Sequence, residues 1–407
     1  MADPFRPETA EDVRAVVADA LAAGTALEVL GGGARRAIGR PVDADYALSV
    51  SQLAGVSLYE PDELVLRAGP GTPMDQIQLQ LDQHGQMLAF EPPDYGPLLG
   101  LPEGQGTLGG TIAGNLSGPR RVKSGAARDH FLGVEAVSGR GELFKSGGRV
   151  VKNVTGYDLC KLMCGSWGTL GIMTEVTVKV LPAPQRARTV LVAGDEADTA
   201  VQAMTHALSS PHDISGAAWL PADAAAHSTV SYVSEAGRAL AALRLEGIGA
   251  SVDARCAALR DELSRFGDAE ELHTHNTKAF WSEVRDVRVL APGDEDAVWR
   301  VSIAPAAASA FVAAVESTLT AKLFLDWGGG LAWVQVAGSG DGGAAAIRNA
   351  LAVSGGHATL IRAPEVLRRS VPVFQPEPGP VARLTKNLKE AFDPNAVLNP
   401  GRMYEGL

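Results

Sequence analysis

The chain has 407 residues, enough for two domains and for the burial of a large ligand. Lys and Arg number 36 against 47 Asp and Glu, a formal net charge of −11, which argues against a nucleic-acid groove because that needs a clustered basic face. The apolar stretches are strand-sized and Met1-Ala2-Asp3-Pro4-Phe5-Arg6-Pro7-Glu8 lacks the charged-then-apolar order of a signal peptide, so secretion and a membrane span are disfavoured and the cytoplasm is the expected compartment.

From the N-terminus, Thr9 predicts a cap for a helix whose Val13, Val16, Val17, Ala20 and Leu21 recur at helical spacing, and Gly24 predicts its end. A strand is expected over 26–30. It runs into Gly31-Gly32-Gly33-Ala34-Arg35-Arg36, a turn able to aim successive N–H groups at a pyrophosphate. This is not a Rossmann turn, since Arg36 stands at the third glycine position and no helix signal follows directly. Taken alone, the loop is as readily a structural turn. No Walker lysine follows any of the glycine loops. Residues 64–68 read as a strand, and Thr72-Pro73 as the cap and first turn of a helix that buries Met74, Ile77 and Leu81.

The stretch 104–182 strings glycine-dense turns between short apolar strands. In order it gives Gly106-Thr107-Leu108-Gly109-Gly110-Thr111-Ile112-Ala113-Gly114-Asn115, then Ser117-Gly118-Pro119-Arg120-Arg121, Arg128-Asp129, and Gly165-Ser166-Trp167-Gly168-Thr169-Leu170-Gly171-Ile172. Glycine lets main-chain N–H groups approach phosphate and ring oxygens with no Cβ in the way, and Thr, Ser and Asn supply short hydrogen-bonding arms. The pattern fits contact with a bulky phosphate-bearing cofactor. Cys160 and Cys164, four apart on an expected helix, read as buried small apolar residues more readily than as a redox or metal pair, and three cysteines cannot form a disulfide scaffold. An alternating strand at 175–181 places Val176, Val178 and Val180 on one face and stops at Pro182 and Pro184, the expected domain boundary.

Beyond the prolines, helices at 197–208 and 249–266 and strands near 298–303, 323–327 and 331–336 indicate a second, α+β domain. From Ile361 onward, Pro-rich turns lead to a last helix at 381–392 and to Asn399-Pro400-Gly401. His273 and His275 would project to one side of an extended segment, but no third ligand is nearby in sequence and no metal is expected. Trp281, Arg285, Trp299 and Arg300 read as core tryptophans with surface arginines, the alternative being a carboxylate-binding or partner surface. His357, beside two glycines, is either a hydrogen-bonded structural residue or a functional one.

In their order these segments resemble the flavin domain of the vanillyl-alcohol-oxidase/PCMH superfamily over residues 1–185 and again at Phe392-Asp393-Pro394-Asn395-Ala396-Val397-Leu398-Asn399-Pro400-Gly401-Arg402-Met403. Val151-Lys152-Asn153-Val154-Thr155-Gly156-Tyr157-Asp158-Leu159, Asp326-Trp327-Gly328-Gly329-Gly330 and Gly356-His357-Ala358-Thr359-Leu360 are similar, within it, to the FAD-binding E-subunit family of bacterial glycolate oxidases. The resemblance implies an α+β fold, with a two-subdomain PCMH-type FAD-binding domain at 1–184, an α+β cap at 185–360 and a segment at 361–407 that returns to the FAD domain. It implies that Gly31, Gly32, Gly33 and Ala34 surround the FAD pyrophosphate. Thr107, Gly109, Gly110, Thr111, Asn115 and Gly118 would line the ribityl chain and isoalloxazine, and Gly168, Thr169, Gly171 and Ile172 would close over the diphosphate and adenine end. Relatives that tether the flavin through histidine carry it in the first loop. Residues 35–39 hold none, so the FAD is expected to be non-covalent. Arg128 and Asp129 form a local ion pair or touch the flavin, and Lys152 and Tyr157 hold the loop beside it.

Catalytic relatives take a base and a metal from an HxxGDGNxH-type motif in the cap. This sequence has no such motif, and Gly340-Asp341-Gly342 reads as a plain turn. His357 remains as the candidate catalytic residue. The resemblance thus implies an FAD-carrying, electron-relaying subunit that works with a catalytic FAD subunit and an iron–sulfur subunit to oxidise a small 2-hydroxyacid, glycolate, and D-lactate in some relatives. Through that complex the chain would be peripheral to the inner membrane. Three cysteines are too few for an iron–sulfur cluster of its own. The alternatives are an autonomous FAD-dependent 2-hydroxyacid dehydrogenase that uses His357 or another cap histidine as base, and a flavin-binding structural subunit without turnover.

Overall fold

The computed structural model describes residues 3–149, 156–290, 296–338 and 340–407. The chain divides into two compact units, one made of Met1–Ser117, Gly125–Ala183 and Pro376–Leu407, the other of Gly118–Ser124 and Pro184–Gln375. The return to the first unit therefore starts at Pro376 rather than at 361. The residues between still serve the second unit, where Leu360 N donates to Val373 O at 2.8 Å.

In the first unit, helix α1 (Ala10–Ala23) forms where its caps predict. Thr9 Oγ1 accepts from Asp12 N at 3.1 Å, the Asp12 carboxylate accepts from Thr9 N at 2.9 Å, and Gly24 closes the helix in the left-handed region. Strand β1 (Leu27–Leu30) pairs in parallel with β2 (Tyr46–Ser49), and Leu398 bridges to Leu27. The remaining strands are β3 (Val56–Glu60), β4 (Val65–Ala68), β5 (Gln86–Met87), β6 (Phe131–Ser138), β7 (Leu143–Gly147), β8 (Gly171–Lys179) and β9 (Leu181–Pro182). They are accompanied by helices α2 (Met74–Asp82), α3 (Leu108–Ala113) and α4 (Leu159–Met163), with single-turn helices left unlabelled. β3, β4, β8, β6 and β7 form an antiparallel sheet in that order, while β5 pairs with β9. The core takes Val176, Val178 and Val180 from the β8 region together with Leu66, Ile77, Leu81, Phe90, Leu108, Ile112 and Phe131.

Two local expectations need correction. Strand β8 begins at Gly171, not at 175, because it pairs with β6 from Ser138↔Gly171 onward. The residue capping α2 is Pro73, not Thr72, whose buried hydroxyl donates to Gly69 O at 2.7 Å and accepts from Gly55 N at 2.9 Å. Residues 151–155, including Lys152, lie outside the described residues, and Tyr157 beside them is exposed.

The second unit is a duplicated βαββαβ arrangement. Its first half is β10 (Arg186–Ala193), α5 (Ala197–Ser209), β11 (Ile214–Leu220), β12 (Leu240–Gly247), α6 (Gly249–Leu263) and β13 (Ala269–Leu272). After α7 (Thr274–Arg285), the second half repeats the order as β14 (Ala297–Ser302), α8 (Ala308–Thr318), β15 (Ala321–Asp326), β16 (Leu331–Val336), α9 (Ala344–Ser354) and β17 (His357–Arg362). The eight strands make one antiparallel sheet, β13-β10-β12-β11-β15-β16-β14-β17. Each half has the ferredoxin-like strand order, and the halves meet through their second strands, where Trp219 faces Leu325.

His273 and His275 are not on an extended segment. They open α7, with His273 as its cap, and the described residues contain no group of three side chains able to hold a metal. Trp281 and Trp299 are core residues: the first donates Nε1–H to Thr189 Oγ1 at 2.9 Å, the second to Gly342 O at 2.7 Å. Arg285 forms a two-pronged pair with Asp286. Asp341 accepts from Gly343 N and Ala345 N, which makes Gly340-Asp341-Gly342 the turn that starts α9.

The C-terminal helix, Gly379–Phe392, is fixed to the first unit by a buried ion pair. Lys389 Nζ donates to Asp393 Oδ2 at 2.6 Å and to Thr169 O and Leu398 O at 2.8 Å, while Asp393 accepts from Val397 N and Leu398 N. Asp393→Ala would leave a buried ammonium without its counter-charge, and the expected loss is about 3–5 kcal/mol in denaturant unfolding. The Asp393→Ala, Lys389→Met double variant should recover a substantial part of it, which a double-mutant cycle measures. The cysteines give a second expectation. Burial raises the thiols of Cys160 to about 11 and of Cys164 and Cys256 to about 12. At mildly alkaline pH a thiol-specific chromogenic reagent should label none of them until denaturant is added.

Candidate cofactor site

The glycine loops converge on a cleft that is open to solvent and built entirely within the first unit. One wall is Gly31, Gly32, Gly33, Ala34, Arg35 and Arg36 at the end of β1. Facing it are Gln105, Thr107, Gly109 and Gly110, where Thr107 caps α3. The two loops touch so closely that a Cβ on Gly31 would lie 2.5 Å from Thr107 Oγ1. The second loop is held from behind, because Leu108 N donates to Thr72 O and Gly109 N to Pro70 O. Trp167, Gly168, Gly171, Ile172 and Met173 form a third side, and Asn399 and Arg402 from the C-terminal segment complete it.

Of the residues singled out in the sequence, Gly31, Gly32, Gly33, Ala34, Thr107, Gly109, Gly110, Gly168, Gly171 and Ile172 line this cleft. The others lie behind it or elsewhere. Thr111 is fully buried and donates to Thr107 O at 3.0 Å. Asn115 Oδ1 accepts from Arg128 N at 3.1 Å, and Thr169 Oγ1 donates to Ser166 O at 2.7 Å. Asp129 caps its own turn by accepting from Ala126 N at 2.8 Å, and among the described residues it forms no ion pair with Arg128, the first of the two alternatives for this pair. Gly118 belongs to the second unit, where its carbonyl accepts from Trp327 Nε1 at 3.1 Å.

Sequence reasoning missed Arg35, Asn399 and Arg402 as cleft residues. Arg402 Nη2 donates to Arg35 O at 2.9 Å, and Asn399 Oδ1 accepts from Val29 N at 2.7 Å. The Asn399-Pro400-Gly401-Arg402 run, already noted as part of the resemblance, held the available signal.

The cleft fits a diphosphate-bearing group on its own evidence. Gly32 is exposed, nothing lies within 4 Å of the place a Gly33 Cβ would take, and the buried Nε of Arg35 has no hydrogen-bond partner. The wall thus offers a bare backbone and an unspent donor.

His357 is in the second unit, exposed at the start of β17. Partial desolvation and the positive charges of Arg300 and Arg121 hold its pKa below the usual histidine value. Those two guanidiniums also lie against one indole, 4.3 and 5.0 Å from the Trp327 ring centroid. Trp327, Gly328 and Gly329 all have positive φ, at 54°, 64° and 95°. An unusual backbone turn therefore presents this ring.

Residues 4–147 match the family described as FAD binding domain. Solved structures share the fold: p-cresol methylhydroxylase with substrate bound has a TM-score of 0.70 at 16% identity, covering 98% of this chain and 88% of that one. Alkyldihydroxyacetonephosphate synthase has a TM-score of 0.67 at 19% identity, covering 97% and 75%. With the fold it shares with p-cresol methylhydroxylase, the FAD-binding match and the relative named next define an FAD-dependent oxidoreductase, and FAD is its cofactor. Glycolate oxidase subunit GlcE of Escherichia coli K12 is 34% identical over 383 residues, 94% of each chain. The chain belongs to this glycolate oxidase E-subunit family. Glycolate oxidase subunit GlcD of Bacillus subtilis is 42% identical over 99 residues, covering 24% of this chain and 21% of that one.

Two substitutions test the cleft. A Cβ on Gly110 would stand 2.9 Å from Arg35 Nη1, and one on Gly32 would stand 3.0 Å from Gln105 O. Gly110→Val and Gly32→Val should each yield folded protein that has lost its flavin, read as the visible absorbance per chain after gel filtration. Stoichiometric flavin in either variant would remove that loop from the cofactor site.

Proposed function

We propose that this chain is the FAD-carrying subunit of a complex that oxidises glycolate to glyoxylate, and that it relays electrons beside a catalytic FAD subunit and an iron–sulfur subunit. The observation that carries the reading is the similarity to a glycolate oxidase E subunit over 94% of the chain, joined to a glycine-lined cleft. The first loop has no histidine and the sequence has no HxxGDGNxH motif, which supports non-covalent FAD and a relay role rather than substrate turnover by this chain alone.

FAD, when bound, supplies a ring that takes up a hydride equivalent and returns electrons one or two at a time. The chain's own residues hold and orient it. Gly31 to Ala34 offer backbone to its diphosphate, Thr107, Gly109 and Gly110 form the opposite wall, and Gly168, Gly171 and Ile172 close the third side. No helix among the described residues is long and apolar enough to cross a membrane, so contact with the inner membrane would come through the partners.

A second reading is an autonomous 2-hydroxyacid dehydrogenase with His357 as base. It is favoured by the lowered pKa of that imidazole, which keeps it neutral and able to accept a proton at neutral pH.

The purified chain should be yellow and should release all its FAD on acid or denaturant treatment. Flavin that stays on the denatured polypeptide would refute non-covalent binding. Mixed with glycolate without oxygen, the isolated chain's flavin should stay oxidised and should bleach only when partner subunits are added. Full bleaching by glycolate in the isolated chain, abolished by His357→Ala, would select the autonomous dehydrogenase. A flavin that stays oxidised even in the assembled, turning-over complex would leave the chain a structural role.

A further inference from the structure

The first loop carries a guanidinium that the protein does not neutralise. Arg35 Nη2 donates to Thr111 Oγ1 at 3.1 Å and to Pro93 O at 3.4 Å, both neutral acceptors, and its Nε is buried with no hydrogen-bond partner. Among the described residues no carboxylate forms an ion pair with it. Its neighbour Arg36 shows the contrast, reaching the buried Glu28 carboxylate through Nε at 2.9 Å and Nη2 at 2.5 Å. Burial lowers the Arg35 pKa to about 10, against the more distant pull of Tyr95 and Asp94, so the group stays charged at neutral pH. A partly buried charge without an opposite charge beside it is costly, and such a cost persists where a ligand supplies the missing counter-charge.

The surroundings keep room for this cation. A Cβ on Gly110 would lie 2.9 Å from its Nη1 and one on Gly106 would lie 3.1 Å from its Nη2, so two glycines of the second loop leave the space that the guanidinium fills. The backbone of Arg35 is pinned separately, by Arg402 Nη2 on its carbonyl. Arg35 lines the same cleft as Gly31, Gly32 and Gly33. A planar guanidinium beside a glycine turn matches a diphosphate, whose oxygens accept paired N–H donors and whose charge the backbone amides alone do not cancel.

We propose that Arg35 is the counter-ion of the FAD pyrophosphate, its guanidinium adding the positive charge to a site that the glycine turn begins. This rests on the reading of the cleft as the FAD site.

The test uses the full chain, stripped of flavin and refilled, with Arg35→Gln and Arg35→Lys. Affinities are measured for FAD by flavin fluorescence and for ADP, which carries the diphosphate without the flavin, by calorimetry. Arg35→Gln should weaken both by a similar factor, roughly tenfold or more, as expected for loss of a charge-assisted bond. Arg35→Lys, which keeps the charge but not the paired donors, should weaken both less than Arg35→Gln does, and the midpoint potential of bound FAD should be unchanged in either variant. Unchanged ADP affinity in Arg35→Gln, or a lowered flavin potential with FAD affinity retained, would overturn the assignment, the second by placing the cation at the flavin ring. Should Arg35→Gln not fold, Arg35→Lys decides alone, since loss of ADP binding by this folded, still cationic variant contradicts a counter-ion role. A wild-type chain that binds neither FAD nor ADP would refute the cofactor cleft itself, a result distinct from any change confined to the variants.

Discussion

The cleft depends on one carboxamide. Asn399 accepts from Val29 N through Oδ1 at 2.7 Å and donates from Nδ2 to Trp167 O at 2.8 Å, joining the strand that feeds the first glycine loop to the turn that forms the third wall. Its backbone N donates to Leu27 O at 2.9 Å, and Leu27 N donates to Val397 O at 2.7 Å, so the C-terminal segment continues the small parallel sheet. The fit has no slack, because a Cβ on Gly168 would lie 2.8 Å from Nδ2. Asn399 takes a φ of 45°, a left-handed value that asparagine tolerates better than most residues. The Lys389–Asp393 pair sits just upstream and satisfies the Val397 and Leu398 amides, which sets the position from which Asn399 reaches both loops.

Local chemistry made the first unit readable. Thr9 and Gly24 bound α1 because capping is settled within a few residues, and the valines of β8 alternate because successive side chains of a strand point to opposite faces and this face enters the core. The second unit was harder. Its strand β11 reads Ile-Ser-Gly-Ala-Ala-Trp-Leu and is buried at every position, so it shows no alternation to detect. Strands β10 and β12 are almost as fully buried, and β13 is only four residues long. With those four strands unseen, the duplication was hidden, since only β14, β15 and β16 of the second half were recognised. His273 and His275 were misplaced for a related reason. The helix they open is amphipathic mainly further along, at Thr277, Phe280, Trp281 and Val284.

For the site, glycine spacing pointed to the correct loops but not to the task of each residue. Gly109 faces the cleft yet is required by packing, as a Cβ there would stand 2.6 Å from that of Pro70. Thr111 and Thr169 carry hydroxyls suited to a ligand and spend them on backbone carbonyls. Arg35 enters the sequence reading only as part of a turn that offers its backbone. Only the three-dimensional placement of Gly106 and Gly110 reveals the space that takes it inward.

The interrupted first unit also orders events in time. The second unit is almost wholly contiguous in sequence, whereas the first waits for Pro376–Leu407 to close its small sheet and supply Asn399. On a ribosome, the duplicated sheet can therefore fold while the glycine loops are still unclosed. At a synthesis rate of roughly 5–20 residues per second, those loops stand open for on the order of ten to seventy seconds. The flavin cleft therefore cannot close until the segment that carries Asn399 has been made.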